Sequence, residues 1–257
     1  MLVVPVRLAD GVGAWFTGRD RTCPDPQIGS AGNLSHRRPH LPSVLARDRA
    51  KACARMGFAP GSLHLMHQAH GASVGVVAAG TPPGAELRGV DALVTSEPER
   101  PLAVQVADCV PLLLAGDGVV AAVHVGRRGL VAGVVQSALA ALDQLEPGVE
   151  TTAAIGPAIG GCCYEVPVSL RDEIGEEHPA TVGETTWGAP SLDLRAGVEQ
   201  QLARAGATVV TRSDACTRCD RDQRWFSHRA DPRAGRQLGV VVLRDSGGAV
   251  GAGERAA

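Results

Sequence analysis

Lysine is nearly absent from this chain of 257 residues, Lys51 being the only one. A Walker-type phosphate loop, which needs a lysine, is excluded, and little room is left for Schiff-base chemistry. Aromatic residues make up only 3% of the chain, too few for the stacking platforms on which single-strand binders lay bases. Neither sign of charge is in excess, the formal net charge being −2, so net charge implies neither a nucleic-acid nor a membrane partner. No apolar run reaches the ~18–20 residues of a membrane span. The opening segment has no basic stretch and no small-residue cleavage site, so it does not read as a signal peptide. Seven cysteines, irregularly placed, do not make a secreted disulfide framework. These absences predict a soluble, cytoplasmic protein. An apolar fraction of 44% is ample for a core, and the length suits one large domain or two small ones.

What is present is a succession of short apolar runs. Residues 2–8, 12–17, 63–66, 73–78, 90–95, 152–155, 208–211 and 238–243 read as strands, and residues 43–56, 130–143, 167–177 and 192–205 as helices. Ser43 is the expected N-cap of the first helix and Gly57 its stop. Residues 18–42 are polar and proline-rich, a long loop holding Asn33, Ser35 and His36, and loops of that length are often functional. The Gly/Ala-rich residues 246–257 are expected to be a disordered tail. No linker splits the core and no repeat is visible. The pattern predicts a mixed α/β fold (α+β), a single-domain sandwich of two mixed β-sheets flanked by helices.

The most informative stretch is 101–130, two apolar runs around Gly116-Asp117-Gly118, with Cys109 on one and His124 at the end of the other. If Gly116-Asp117 is the hairpin loop, Cys109 lies opposite His124. If Asp117-Gly118 is the loop, as Asp-Gly chemistry favours, Cys109 lies opposite Gly126 and diagonal to His124 on the same face. Opposed Cβ atoms are about 4.5–5.5 Å apart, within reach of one metal ion. A three-residue loop would separate the two side chains, and Pro111 disfavours a regular ladder. The alternative is a buried thiol and a strand-end histidine bonded to backbone.

Other candidates are local. His64, His67 and His70 recur at every third residue, a metal spacing only on a helix, and this segment does not read as one. Arg127 and Arg128, between Gly126 and Gly129, lie between a strand end and a helix start. That is a place for a phosphate or carboxylate, or a basic surface turn. Cys162 and Cys163 sit in a Gly-rich loop and read as small apolar fillers, because adjacent cysteines seldom chelate one ion. Cys216 and Cys219 form a CxxC for which the sequence offers no second pair. Arg229, Asp231 and Arg236 follow Trp225-Phe226 and line a polar pocket or form a salt-bridged loop.

Together, several segments resemble one family. They are Gln68-Ala69-His70-Gly71, Val106 to Pro111 around Asp108-Cys109, His124 to Gly129, Ile155 to Val166, and Phe226 to Arg236. Asn33-Leu34-Ser35 and Arg49 match the family's early loop and helix arginine. The ordered set, over residues 13–243, is similar to the YfiH/YlmD-type family, described variously as laccase-domain polyphenol oxidase, purine nucleoside phosphorylase and peptidoglycan editing factor. The chain departs from that pattern where Arg127 replaces a tryptophan, Ala69 a valine, His228 a tyrosine and Ala230 an arginine.

The resemblance implies a bacterial zinc-dependent catalytic domain over residues 1–245, with His70, Cys109 and His124 as metal ligands and as catalytic residues together with Asp108. Three protein ligands and an open fourth position describe a catalytic zinc, with copper as the other candidate metal. It also implies Asn33, Arg49, Arg128 and Arg229 as substrate or phosphate contacts. The implied activities are phosphorolysis of adenosine, inosine and methylthioadenosine, and adenosine deamination. The rival readings are a copper-dependent polyphenol oxidase, a Cys/His hydrolase editing peptidoglycan precursors, and a non-enzymatic accessory protein. Expected partners are purine nucleosides and phosphate, with no nucleic acid or membrane, and the chain is expected to be a monomer or weak homo-oligomer.

Overall fold

The structure is a computed structural model and describes residues 1–20 and 32–245. The predicted tail 246–257 and residues 21–31 of the predicted loop lie outside the described residues. In chain order the strands are β1 Val3–Pro5, β2 Val12–Thr17, β3 Leu65–His67, β4 Val74–Val76, β5 Glu86–Arg88, β6 Ala92–Thr95, β7 Leu102–Val106, β8 Val110–Gly116, β9 Val119–Val125, β10 Thr152–Ile155, β11 Val182–Glu184, β12 Pro190–Leu192, β13 Thr208–Arg212 and β14 Gln237–Leu243. The helices are α1 Pro42–Met56, α2 Arg127–Val131, α3 Val134–Leu145, α4 Val168–Glu177 and α5 Leu194–Arg204.

Two sheets form the expected sandwich. The larger has the order β13-β10-β8-β9-β6-β4 and the smaller β1-β2-β14-β7. The larger sheet is mixed, with parallel β10/β13 and β4/β6 pairs. All pairs of the smaller sheet are antiparallel, so only one of the two expected mixed sheets is mixed. Between the sheets lie Phe16, Val104, Val106 and Val241 of the smaller against Leu93, Leu113, Val120 and Ala154 of the larger. The outer face of the larger sheet buries Leu112, Ala121 and Val123 under Leu130, Val135, Leu142 and Val198 of the helices. The outer face of the smaller sheet buries Val240 and Val242 under Ala52, Cys53 and Met56 of α1. Strands covered on both faces cannot alternate apolar and polar residues, which is why β8 and β9 read as unbroken apolar runs. Gly156 follows β10 where the Phe16 ring presses in, and a Cβ there would lie 2.4 Å from the ring.

Helix ends differ from expectation in two places. Leu41 is the N-cap of α1, with Pro42 in the first turn. Proline's fixed φ and missing N–H suit that place, so Ser43 is already helical. Gly57 ends the helix in the left-handed conformation, as expected. The predicted helix 130–143 is two helices, α2 and α3, broken at Gly133 with φ 81°.

The hairpin register follows the Asp117-Gly118 loop. Gly116 pairs with Val119, Pro111 with His124 and Val110 with Val125, so Cys109, just before β8, faces Gly126. The ladder is regular through Pro111 despite the proline. Its carbonyl accepts the Gly156 N–H at 2.9 Å, while the His124 N–H is taken by Asp91 O on the other neighbour.

Candidate active site

Four neighbouring strands of the larger sheet bring their same ends together. His70 lies in the turn before β4, Asp91 just before β6, Cys109 just before β8, and His124 near the end of β9. The turn carrying His70 is held at both sides. The Gln68 side chain donates to Gln105 O at 2.8 Å and accepts the Gln105 N–H at 3.0 Å, clamping the turn to β7. Asp91 accepts the backbone N–H groups of Ala69, His70 and Gly71 at 3.1, 2.9 and 2.8 Å. Those bonds hold His70 at φ 61°, a left-handed conformation that a non-glycine residue adopts only when its surroundings fix it.

Asp91 also fixes the second histidine. Its Oδ1 lies 2.8 Å from His124 Nδ1, so Nδ1 carries a proton and Nε2 is the nitrogen left to serve as a metal ligand. The His70 and His124 rings stand edge to face with centroids 4.7 Å apart. Cys109 Sγ is 3.9 Å from His70 Nε2. One ligand atom from each of His70, Cys109 and His124 lies within 4.8 Å of the other two, near the spacing that ligands of one ion keep. The expected Cys/His pair therefore meets, and His70 joins it from a segment 39 residues away from Cys109.

Electrostatics favour a thiolate here. Burial pushes the Cys109 thiol up, but His124 and His70 beside it outweigh burial and bring it down to about 6. Burial pushes His124 down, but Cys109 and Asp91 raise it to about 9. Burial alone would raise Asp91, yet the His124 and backbone hydrogen bonds hold it below the usual carboxylate range.

The triad opens on a cavity of about 340 Å³, at the small end of the range for ligand pockets, roughly 300–1,000 Å³. Arg127, Arg128 and Arg229 line it, with Tyr164, Ile159, Leu194 and His228 as further wall. Arg229 stacks over the Tyr164 ring at 5.0 Å and donates to Glu165 O at 3.0 Å. Burial raises the Tyr164 hydroxyl, and the positive charge of the nearby Arg127 guanidinium opposes it. Arg127 and Arg128 open α2, which is only five residues long. An anion at this loop would therefore be held by the guanidinium groups and not by a helix terminus.

Asp108 also lines the cavity, at φ 88°. Its carboxylate accepts the Thr217 hydroxyl at 2.6 Å and the Arg229 N–H at 2.6 Å, tying together the two loops behind the pocket. Asn33 and Arg49 are not brought to the cavity. The Asn33 amide donates to Ser35 O and accepts the Ser35 and Arg236 N–H groups. Arg49 donates to Leu34 O at 3.0 Å and lies 3.4 Å from His36 Nδ1. Both side chains shape the loop at 33–36. Asp231 accepts the Arg233 N–H and Arg236 bonds to Ala234 and Gly235 carbonyls, so of that trio only Arg229 reaches the pocket. Asp91 and the Gln68 clamp are not among the roles expected from the sequence. A lone buried Asp before an apolar strand was the available signal for the first.

The class of protein defined here is an α/β sandwich with a His/Cys/His group that could hold a metal ion beside a cationic cavity. The model of the family described as multi-copper polyphenol oxidoreductase laccase matches residues 13–244, and the chain belongs to that laccase-like YfiH/YlmD family. A purine nucleoside phosphorylase of Streptomyces coelicolor is 45% identical over 208 residues, 79% of this chain and 84% of that protein. One of Mycobacterium tuberculosis is 38% identical over 205 residues, 79% of this chain and 80% of that protein. Among solved structures, YlmD from Geobacillus stearothermophilus superposes with a TM-score of 0.81 at 28% identity, covering 92% of this chain and 93% of that one. Protein NMB0706 of Neisseria meningitidis gives 0.80 at 29% identity, covering 95% and 98%. Among the described residues no helix is long and apolar enough to cross a membrane.

Proposed function

We propose that this chain is a zinc-dependent purine nucleoside phosphorylase acting on adenosine, inosine and methylthioadenosine, with adenosine deaminase activity at the same site. The observation that carries the reading is the juxtaposition of the His70/Cys109/His124 group with a cavity into which three arginines project. Relatives named purine nucleoside phosphorylase support it. The donor set fits zinc, because two imidazoles and a thiolate leave a tetrahedral ion one open position. His70, Cys109 and His124 would hold the ion, and when bound it supplies Lewis acidity at the cavity wall.

The chain's own residues do the rest. Arg127, Arg128 and Arg229 hold phosphate through charge-assisted, forked hydrogen bonds. Tyr164, Ile159 and Leu194 give the apolar wall against which a purine packs. Asp108 keeps the Arg229 segment in place, and Asp91 keeps both histidines aimed. Incubating the purified protein with each nucleoside, with and without phosphate, tests the reading. Free base and sugar 1-phosphate should appear only with phosphate, and inosine should appear from adenosine without it. Products independent of phosphate in every case would sink the phosphorylase assignment.

A second reading is favoured by one observation, the order Asp91–His124–Cys109. In the metal-free chain this is a thiolate beside an oriented imidazolium, the ion pair of an activated cysteine nucleophile. It would suit amide hydrolysis, as in editing a peptidoglycan precursor. Zinc should then inhibit turnover, whereas the phosphorylase needs it. The copper polyphenol oxidase reading predicts phenol oxidation that rises with bound copper, since the same donors also take copper.

A further inference from the structure

Cys162 and Cys163 follow β10 on a turn, and Cys216 and Cys219 follow β13. In sequence the CC and CxxC are separate and each is too small for a closed metal site. The fold makes each the second pair of the other. β10 and β13 are parallel neighbours, and their pairing continues past the strand ends through a bridge between Ala158 and Cys216. The Thr217 N–H donates to Ala158 O at 3.0 Å. One Sγ from each of the four cysteines then lies within 4.8 Å of the others, and those of Cys162 and Cys219 are 3.8 Å apart. Four sulfurs around one zinc at about 2.3 Å stand about 3.8 Å apart along each edge of the tetrahedron.

We propose that Cys162, Cys163, Cys216 and Cys219 bind one Zn²⁺ as a closed four-thiolate structural site, separate from the His70/Cys109/His124 group. The surroundings of Cys216 fit a thiolate. Gly160 N–H donates to Cys216 Sγ at 3.3 Å, and the backbone N–H groups of Arg218 and Cys219 lie close enough to favour its charge. Such donors spread the charge of a metal-bound sulfur. Adjacent cysteines diverge on an extended chain, but here Cys163 N–H and Tyr164 N–H both return to Gly160 O. That tight turn brings both thiols to one side. The zinc tetrathiolate carries two negative charges, and the buried Arg195 guanidinium lies beside it. A Cβ at Gly160 would touch both Arg195 Nη2 and Cys162 Sγ, at 2.9 and 3.1 Å. Arg195 is itself held by Ser213 O and Ala215 O, just ahead of Cys216. The site staples the loop carrying Ile159 and Tyr164 to the loop whose Thr217 holds Asp108.

The test uses the full chain, loaded with zinc under reducing conditions and freed of loose metal, followed by metal counting and exchange for Co²⁺. The wild type should hold two zinc ions per chain, one for each group. Cys109→Ser should keep one, and its cobalt form should show the intense charge-transfer and visible bands of a tetrahedral four-thiolate centre. Cys162→Ser/Cys219→Ser should lose that spectrum. A Cys109→Ser protein without thiolate–cobalt bands overturns the proposal, as does a Cys162–Cys219 disulfide that persists with zinc and reductant. If Cys109→Ser does not fold, the wild-type cobalt spectrum decides, four-thiolate bands supporting the proposal and their absence overturning it.

Discussion

Asp91 Oδ1 sits 2.8 Å from His124 Nδ1 while the same carboxylate binds the N–H of His70. One buried anion thus sets the tautomer of one candidate ligand and the backbone of another. In Asp91→Asn an amide nitrogen must face at least one of these N–H groups. Zinc affinity should fall about 10–100-fold, the usual effect of removing a ligand's supporting partner. Competition with a chelator measures it, and unchanged affinity would remove Asp91 from this role.

The thiol of metal-free protein should react at unusually low pH. With Cys109 brought down to about 6, its thiolate dominates above that pH, whereas an ordinary cysteine needs about 8.5. Alkylation of Cys109, followed by mass spectrometry of its peptide, should be half-maximal near pH 6 and flat above neutrality. Zinc should suppress it. A midpoint at ordinary thiol pH would mean that the histidines do not stabilise the thiolate.

Gly126 is a steric requirement of the site and not a backbone one. Its φ of −85° suits any residue, but a Cβ there would lie 2.9 Å from His70 Cδ2 and 3.2 Å from Cys109 Sγ. Gly126→Ala should therefore keep its melting temperature within a few degrees in the metal-free form. Its zinc affinity should drop about tenfold, which is about 1.4 kcal/mol. Equal affinity in the two proteins would show that the ring has room to yield.

The arginines of the cavity should separate phosphate from nucleoside. Losing a charge-assisted bond costs about 1.5–3 kcal/mol, so Arg128→Ala should raise the phosphate KM about 10–100-fold with a smaller change for the nucleoside. Arg127→Trp, which puts an aromatic ring beside Tyr164, should lower the nucleoside KM and raise that for phosphate. Initial rates over a grid of both substrates give the two constants.

The sequence made local geometry legible. Asp117-Gly118 announced its turn, and that turn alone put Cys109 and His124 on one face of a hairpin. Gly57 announced the end of α1. Short strands without alternation were harder. β5 has three residues paired to another three-residue strand, β3, and β11 pairs with β12 in the same way, too brief for any pattern to emerge. Long-range meetings left no local trace. His70 and Cys109 entered as partners only through the family resemblance. Cys162-Cys163 and Cys216-Cys219 read as unrelated because nothing in either segment encodes the parallel pairing of β10 with β13.

Because His70, Asp91, Cys109 and His124 come from four adjacent strands at one end of one sheet, no single hairpin carries the whole candidate metal group. A half-assembled sheet has separated ligands and binds weakly, so an ion present at 100 times its Kd would add about 2.7 kcal/mol to the completed fold alone. Loading is then a late event in the life of each molecule. If the chain holds zinc as proposed, a newly made molecule must finish its sheet before it can capture the ion, and it passes through an interval in which the Cys109 thiol, brought down to about 6, has no ion to shield it.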